Sequence, residues 1–446
     1  MAPSVTVGDR TVVLSPRLAW RAFRADVASM PRPLRIWFGF LLVLLAIGAV
    51  GAAFSLNPGD EVFGTRPSFE WGILITAYVF FAITTSGLCL ASSLGTVFGI
   101  DRFRPLEKRH ALLALLSLIT AFGIILLDLH YPLRLVFGAV LSPSPLSPMW
   151  WMGVLYGGYL FLLMIEVWSM FRGHERIHNV SCLLASFMAI LAPSTLGAVF
   201  GVVASKPYWH GSFTPPSLLM AALLAGISLL GIVFACVSKF RLAGWQRAES
   251  LAIPGLRVLL TIALFTAILV VGWQVLTSLY GGVPGLSDAM WAMVVGPLAL
   301  TFWIGKILIG LIIPLLLVVV PRFYSVRGLF LASVLTFAGV FVDRVLFVNA
   351  GQVVSSTTSA GVASFPYNEY VPSVIEMCVV IGAFGFLAFA YTLCERYLDM
   401  SEHTGDHLPI LSRWGRHEPH PDDEAHRAYH PPHKAPHAHG PAPAEQ

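Results

Sequence analysis

The sequence predicts an all-α integral membrane protein with about ten transmembrane helices. Of its 446 residues, 56% are hydrophobic and only 12% are charged, and the mean hydropathy is +0.75. Soluble domains carry about 25% charged residues, and a helix that crosses a bilayer needs roughly 20 consecutive apolar residues. The chain contains about ten apolar runs of that length, so lipid is the predicted surrounding of most residues and nucleic acid is not a predicted partner.

The apolar runs predict where the chain crosses the membrane. Their approximate limits are 34–56, 69–100, 108–129, 149–171, 178–204, 215–238, 254–280, 289–320, 327–348 and 370–394. The second and eighth runs are long enough to tilt or to extend beyond the bilayer. These limits predict three parts: an N-terminal segment (1–33), a transmembrane domain (34–394) and a tail (395–446).

Basic residues in the short loops predict the orientation, because cytoplasmic loops are enriched in Lys and Arg. One side collects Arg10, Arg17, Arg21, Arg24, Arg102, Arg104, Lys108, Arg109, Arg172, Arg176, Lys239, Arg241, Arg247, Arg322 and Arg327. The loops of the opposite side contain only Arg66, Arg134 and Lys206. We therefore expect the N-terminal segment and the tail both to be cytoplasmic.

The tail beyond Cys394 changes composition sharply. It contains nine histidines among prolines, acids and alanines: His403, His407, His417, His420, His426, His430, His433, His437 and His439. Such a segment cannot bury a core, so we expect it to be disordered. Metal chelation by these histidines is the alternative.

A polar cluster is predicted where the third apolar run ends. Residues 127–134 read Leu-Asp-Leu-His-Tyr-Pro-Leu-Arg and place Asp128, His130, Tyr131 and Arg134 at one rim of the membrane. Asp128 can accept a proton, His130 titrates near neutral pH, and Arg134 can hold a carboxylate or polarise an oxygen. The structural alternative is an interfacial ion pair between Asp128 and Arg134, because placing a charge at the membrane rim costs less free energy than placing it at the midplane.

Ionisable residues inside spans are candidate functional residues, because a charge is costly to bury in lipid. Glu166 lies in span four, Lys306 in span eight and Glu376 in the outer third of span ten. We interpret these three as candidate proton carriers. Alternatively, Glu166 and Lys306 pair with each other or with backbone carbonyls and so join helices. Asp343 and Arg344, adjacent in span nine, are expected to neutralise each other.

Histidine and cysteine placement argues against haem and against other metal centres. The five cysteines form no CxxC pair, and a membrane-bound haem needs imidazoles that face each other inside a bundle. The histidines before the tail are expected near span ends or in loops, and they are His110, His130, His174, His178 and His210. We therefore predict no metal and no covalently bound cofactor.

Several short segments follow one another along the spans in a characteristic order. They are Trp71-Gly72-Ile73, Thr85-Ser86-Gly87, Asp128, Leu163-Met164-Ile165-Glu166, Ala192 through Gly197, Pro207 through His210, Pro215-Pro216, Phe302 through Gly305, and Leu311 through Pro314. In order and spacing they resemble the NrfD/PsrC family, the membrane subunits of polysulfide-reductase-type respiratory complexes, and in particular its ten-span, HybB-like branch. The resemblance covers spans one to ten and leaves out the tail.

The resemblance implies two four-helix bundles, with one further helix at each end, in a bacterial inner membrane. It also implies a subunit without its own redox cofactor that binds menaquinone or ubiquinone as substrate near one face. The implied partners are a ferredoxin-like iron–sulfur subunit and, beyond it, a molybdopterin- or hydrogenase-type catalytic subunit.

The resemblance assigns roles to particular residues. The family's acid at the end of span three corresponds to Asp128, which is then implicated at the quinone site, and its acid in span four corresponds to Glu166, implicated in proton movement. HybB-like relatives carry a histidine in the span-five motif, where this chain has Pro193-Ser194-Thr195. His130 or His210 is the expected replacement.

We therefore predict a quinone-binding membrane subunit of a respiratory oxidoreductase. The candidate quinone-site residues are Asp128, His130, Tyr131, Arg134, Trp209 and His210, and the candidate proton carriers are Glu166, Lys306 and Glu376. A secondary transporter is the alternative, because prolines inside spans also suit broken helices around a midplane site. A transporter should concentrate polar groups at mid-depth, whereas most of the polar groups here are predicted at the outer rim.

Overall fold

The computed structural model describes most of the membrane domain. The described residues are 4–7, 10–13, 30–56, 63–100, 103, 107–129, 143–240, 247–354 and 367–398. Three candidate site residues, His130, Tyr131 and Arg134, lie outside these ranges, and so does the tail from residue 399 onward. Their predicted roles therefore stay predictions.

Ten helices in the described residues are long and apolar enough to cross a membrane, which confirms the predicted number. They are α1 (Arg32–Ser55), α2 (Ile73–Thr96), α3 (Glu107–Asp128), α4 (Pro148–Arg172), α5 (Glu175–Gly201), α6 (Thr214–Phe240), α7 (Arg247–Tyr280), α9 (Thr301–Val319), α10 (Val326–Val353) and α11 (Val374–Tyr397). A short helix, α8 (Leu286–Val294), precedes α9. The sequence did not predict the antiparallel hairpin near the N-terminus, formed by β1 (Ser4–Val7) and β2 (Arg10–Val13) with Ser4 opposite Val13.

The spanning helices form two four-helix bundles, as expected. Helices α2, α3, α4 and α5 form the first bundle, and α6, α7, α9 and α10 form the second. The first and last spans of the sequence, α1 and α11, pack against each other, and α11 also packs on α3. Helices α2 and α6 have the largest buried fractions of the ten spans, because they lie where the two bundles meet.

Glycines let α2 and α6 approach backbone to backbone at this junction. A Cβ added at Gly87 of α2 would overlap the Ala222 carbonyl of α6, and one added at Gly226 of α6 would overlap the Gly87 carbonyl. Small residues are common at helix contacts in membranes, because packing rather than water exclusion drives helix association there. The Thr85-Ser86-Gly87 segment therefore marks the joint between the bundles.

The prediction of one continuous span over 289–320 was wrong. The chain forms α8 up to Val294, passes through Gly296 and Pro297, and begins α9 at Thr301. Proline lacks the N–H that would continue a helix, and its ring clashes with the preceding turn. The first part of α9, Thr301–Ile312, is π-helical and the remainder is α-helical. Short π-helical segments often occur at functional sites.

The second span is also shorter than the predicted 69–100. Helix α2 begins at Ile73, directly after Gly72, and ends at Thr96. The residues on either side are apolar enough to extend the hydrophobic run, although they lie in loops. Hydropathy therefore overestimates the helix here, because an apolar residue packed in a loop gives the same signal as one in a span.

Replacing Gly87 by valine should destabilise the protein by about 1–3 kcal/mol, because the side chain meets α6 backbone that cannot move aside cheaply. The measurement is thermal unfolding of the purified chain in detergent. The matched control is Gly123→Val in α3, where an added Cβ meets no atom within 4 Å among the described residues. Equal unfolding temperatures for the two variants would contradict a close α2–α6 contact.

Candidate functional site

One end of the membrane domain carries a group of buried polar side chains that includes Glu376 and Gln352. This end, called the Asp128 end, is where α2 begins at Ile73, α3 ends at Asp128 and α11 begins at Val374. The opposite end, called the Glu107 end, is where α2 ends at Thr96 and α3 begins at Glu107. The two ends carry different sets of ionisable side chains.

The Glu376 carboxylate organises the Asp128 end. Its side chain is 1% exposed. One oxygen, Oε2, accepts hydrogen bonds from the backbone N–H groups of Gly64 at 3.0 Å and Ser373 at 2.7 Å, and Oε1 accepts one from the Tyr370 phenol at 2.9 Å. The Ser373 hydroxyl accepts a bond from the Glu376 N–H in return, which completes a capping box at the start of α11. Glu376 therefore joins α11 to the loop before α2.

Tyr370 connects this carboxylate to α2. Its oxygen accepts a hydrogen bond from the Ile73 N–H at 2.8 Å, one of the N–H groups that a helix start leaves without an intrahelical acceptor. Its ring stacks on Phe69 at 4.8 Å between centroids. Burial raises the pKa of Tyr370, the Ile73 N–H opposes that shift, and the nearby carboxyls of Glu376 and Asp128 raise it further. The phenol is therefore protonated at neutral pH and acts as a donor.

Asp128 is the third member of this group. It is the last residue of α3 and partly exposed. Its carboxyl is close enough to interact electrostatically with Glu376 and Tyr370. Two carboxyls and a phenol, one from the end of α3 and two from the segment that leads into α11, thus lie close together at this end of the membrane domain. We call Asp128, Tyr370 and Glu376 the Asp128 cluster.

Gln352 and a pair of tryptophans pack beside the cluster. The Gln352 side chain donates to the Trp71 carbonyl at 2.9 Å and accepts from the Trp71 N–H at 3.0 Å. The Trp71 ring stacks on Trp209 at 4.9 Å, and the Trp209 Nε1–H donates to the Phe347 carbonyl at 2.8 Å. The Trp209 side chain is therefore buried, and its indole N–H is already bonded to a carbonyl of α10. The neighbouring candidate His210 is exposed.

Sequence reasoning missed Tyr370 and Gln352. Tyr370 lies in the loop before α11 and has no neighbouring motif that distinguishes it. Gln352 is an uncharged polar residue, so a search for ionisable groups passed over it. The Ser373-x-x-Glu376 spacing was the one available signal, because it matches a capping box and would have placed Glu376 at a helix start.

Glu166 lies near the Glu107 end and does not pair with Lys306. It is 1% exposed, and its Oε1 lies 3.5 Å from Nε2 of His110. His178, expected near a span end or in a loop, lies in the first turn of α5, where its Nε2 is 2.6 Å from Oε1 of Glu107. Glu166 also interacts electrostatically with His178. Two acids and two imidazoles therefore lie together at this end of the first bundle.

Buried tyrosines continue from Glu166 toward the Asp128 end. Cys89 forms a hydrogen bond with Tyr159 and interacts electrostatically with Glu166. Tyr159 interacts electrostatically with Tyr156, and Tyr156 with Tyr78. All four of these side chains are buried. We call Tyr159, Tyr156 and Tyr78 the tyrosine file. Tyr78 is five residues from Ile73 along α2, about 7.5 Å along the helix axis, so the file approaches the Asp128 cluster.

Lys306 has its own partner in the second bundle. Its Nζ lies 2.7 Å from Oδ1 of Asp343, and the other oxygen of Asp343 contacts the guanidinium of Arg344. The expectation that Asp343 and Arg344 neutralise each other was therefore incomplete, because the carboxylate is shared with Lys306. We call Lys306, Asp343 and Arg344 the Lys306 triad.

Comparison with known proteins places this architecture in a family. The model of the polysulphide reductase NrfD family matches residues 61–355, well over half of the chain. The chain belongs to the NrfD family. The matched range includes Asp128, Glu166 and Gln352, whereas Tyr370 and Glu376 lie beyond it. The Asp128 cluster therefore joins the NrfD region to the C-terminal helix α11.

Three relatives match over most of their length. An Hdr-like menaquinol oxidoreductase integral membrane subunit from Archaeoglobus fulgidus is 27% identical, over 78% of this chain and 89% of the relative. A selenate reductase subunit from Mesobacillus selenatarsenatis is 23% identical, over 80% of this chain and 92% of the relative. A putative dimethyl sulfoxide reductase membrane subunit from Halobacterium salinarum is 26% identical, over 83% and 93%. This NrfD-family chain thus aligns with nearly the full length of subunits from several oxidoreductases.

Replacing Gly72 by alanine should disturb the Asp128 cluster without changing the fold. An added Cβ would lie 2.6 Å from the Tyr370 oxygen and 2.7 Å from Glu376 Oε1, so these two side chains must shift from their present positions. The φ of −93° suits alanine, so backbone strain does not contribute. We expect a loss of about 1 kcal/mol in unfolding free energy, measured by thermal unfolding.

The matched control is Gly123→Ala, which should be neutral or slightly stabilising, because no atom of the described residues lies within 4 Å of an added Cβ there. A Gly72→Ala protein as stable as this control would show that the two side chains are not held against Gly72.

Proposed function

We propose that the chain is the quinone-binding membrane subunit of a respiratory oxidoreductase, with the quinone headgroup at the Asp128 end. Membership of the NrfD family supports the coarser part of this proposal, a membrane subunit of a quinol-linked oxidoreductase. The names of the three relatives, subunits of a menaquinol oxidoreductase, a selenate reductase and a putative dimethyl sulfoxide reductase, support it as well.

The meeting of Asp128, Tyr370 and Glu376 is the observation that carries the proposal. Quinol oxidation releases two electrons and two protons, and quinone reduction takes up the same number. A carboxyl and a phenol can donate to or accept from the two quinone oxygens and exchange these protons. The cluster lies where α3 ends and α11 begins, at one end of the spanning helices, a position that a lipid-soluble substrate and water could both reach. Apolar walls such as the Trp71–Trp209 stack suit the ring and its isoprenoid tail.

His130, Tyr131 and Arg134 belong to this proposal through their position in the sequence. They follow Asp128 within six residues of the sequence, and their proposed roles rest on that sequence position alone. The substrate would be menaquinone or ubiquinone. Its electrons would pass to or from a ferredoxin-like iron–sulfur subunit, and from there to a molybdopterin- or hydrogenase-type catalytic subunit.

A proton route through the first bundle completes the proposal. It runs from Glu107 and His178 through Glu166, with His110 beside it, along the tyrosine file and up to Glu376 in the Asp128 cluster. The basic loop residues predict that the Glu107 end is cytoplasmic, so protons would move between the cytoplasm and a quinone at the opposite face. Lys306, the remaining candidate carrier, lies in the second bundle and contacts Asp343.

A secondary transporter is the competing function, and the Lys306 triad favours it, because a transporter needs polar groups inside its helix bundle. Family membership and the three relatives favour the oxidoreductase. Affinity purification of the tagged chain from its native membrane distinguishes the two. Co-purification of an iron–sulfur protein supports the oxidoreductase, and isolation of a stable chain without a redox partner supports the transporter.

Replacing Asp128 by asparagine in the purified complex should lower kcat for quinol turnover about 100-fold, because proton transfer by a positioned side chain contributes a factor of that order. The measurement is steady-state oxidation of a quinol analogue with an artificial acceptor. Asp288→Asn is the matched control, since Asp288 lies in α8 and its carboxylate only caps the helix through the Gly285 N–H at 3.0 Å. Unchanged turnover in Asp128→Asn would remove Asp128 from the site.

Replacing Glu166 by glutamine should separate electron transfer from proton movement. The amide cannot carry a proton, so we expect quinol turnover to continue with its two protons exchanged at the Asp128 end, while proton uptake or release at the Glu107 end of the protein in proteoliposomes is lost. Glu175→Gln, an exposed acid in the first turn of α5, is the control and should behave as the wild type. A wild-type ratio of protons to electrons in Glu166→Gln would exclude Glu166 from the route.

A further inference from the structure

The second bundle contains a cavity, lined by apolar residues and by several polar side chains, that the proposed function does not use. Helices α6, α7, α9 and α10 and the loop before α6 surround it, and its volume open to water-sized molecules is about 50 Å³. One water needs roughly 10–15 Å³ by this measure, so the cavity has room for a small ligand. The polar side chains that line it include the Lys306 triad, Tyr208 and Gln274.

The backbone brings the Lys306 triad together through a close glycine contact. A Cβ at Gly310 of α9 would lie 2.9 Å from the Cα of Gly339 in α10, so the two helices touch almost backbone to backbone there. Lys306 lies one turn away in the π-helical part of α9, and Asp343 one turn away in α10. Their 2.7 Å ion pair is thus set by the packing of two spans.

The triad carries more positive than negative charge. Lys306 and Arg344 share the single carboxylate of Asp343, and Asp343 is the only acid among the described residues that line the cavity. Lys306 is 8% exposed and Arg344 is 3% exposed. A net positive charge inside an apolar bundle is costly unless something compensates it.

Arg344 also has hydrogen-bond donors that its contact with Asp343 does not satisfy. Its Nη2 contacts Asp343, but within the part of the chain that the structure describes neither Nε nor Nη1 has a hydrogen-bond partner. Loss of a proton from Lys306 would cancel the excess charge and leave these donors unsatisfied. A water molecule would satisfy the donors and leave the charge. An anion in the cavity does both.

Two neutral donors complete the arrangement. The Gln274 side-chain amide donates to the Tyr208 oxygen at 3.3 Å, so the phenol hydrogen is available to another acceptor. Burial raises the pKa of Tyr208, the Asp343 carboxylate raises it further, and Arg344 opposes this shift. The phenol therefore keeps its proton at neutral pH.

We propose that this cavity binds a small monovalent inorganic anion of the chloride class, held by Arg344 and Lys306 with Tyr208 as a neutral donor. The site lies in the second bundle, apart from the Asp128 cluster, and does not depend on the proposed quinone chemistry. Its role is to neutralise the buried cations and so to stabilise the contact between α9 and α10.

The first test measures the thermal stability of the purified full-length chain in detergent. Sodium chloride replaces sodium gluconate at constant ionic strength and fixed pH. We expect a saturable rise in Tm for the wild type, because a ligand that binds only the folded state stabilises it, and loss of that rise in Arg344→Gln and Lys306→Gln. Arg257→Gln is the matched control: Arg257 donates to the Ser325 carbonyl at 2.8 Å, does not line the cavity and should keep the full chloride effect.

The second test locates the anion directly and does not depend on a variant that folds. Wild-type crystals soaked in sodium bromide should show anomalous density in the cavity beside Arg344. A Tm that is independent of chloride, together with a cavity without bromide, would overturn the proposal. In that outcome, a Tm that varies with pH in the wild type but not in Lys306→Gln would indicate that Lys306 removes the excess positive charge by losing its proton.

Discussion

Every charged or strongly polar group inside a membrane domain needs a partner supplied by the protein, because the surrounding lipid offers none. The contacts that meet this requirement also connect distant parts of the chain. Arg109, counted among the loop residues, is instead buried in α3 and binds the Glu395 carboxylate of α11, with its Nη2 at 2.9 Å. Tyr391 donates to the same carboxylate at 2.7 Å. At the other end of α11, Glu376 binds Tyr370, whose oxygen accepts from the Ile73 N–H of α2. Helix α11 is therefore held to the first bundle near both of its ends.

The two bundles use this requirement differently. In the first bundle a succession of imidazoles, carboxyls, a thiol and phenols runs from Glu107 to Tyr78 and approaches the Asp128 cluster. In the second bundle the polar groups gather around Asp343 beside a cavity. The first arrangement suits movement of a proton over distance, and the second suits retention of a bound ion. Sequence composition does not separate the two, because both consist of a few ionisable residues in apolar helices.

Much of the fold was predictable, because apolar run length is a direct consequence of bilayer thickness. The ten spans follow from it, although the limits of α2 and the break before α9 do not. Hydropathy averages over neighbouring residues, so it does not detect that Gly296 and Pro297 interrupt an otherwise apolar run. Part of the site was predictable for a similar reason: Asp128, Glu166, Lys306 and Glu376 stand out, since charge is rare in a span. Tyr370 and Gln352 did not, because neither residue type is unusual where it occurs.

The sequence by itself determined the class of protein, the number of spans and the acids around which chemistry is expected. It also carried enough ordered segments to indicate the NrfD family. Only the tertiary structure decided the partners: Lys306 with Asp343 rather than Glu166, His178 with Glu107, and Tyr370 with Glu376. The physical reason is that a span's depth and composition are local properties of the chain, whereas a partner depends on which helix faces which. That choice is made by close packing, such as the glycine contacts between α2 and α6 and between α9 and α10.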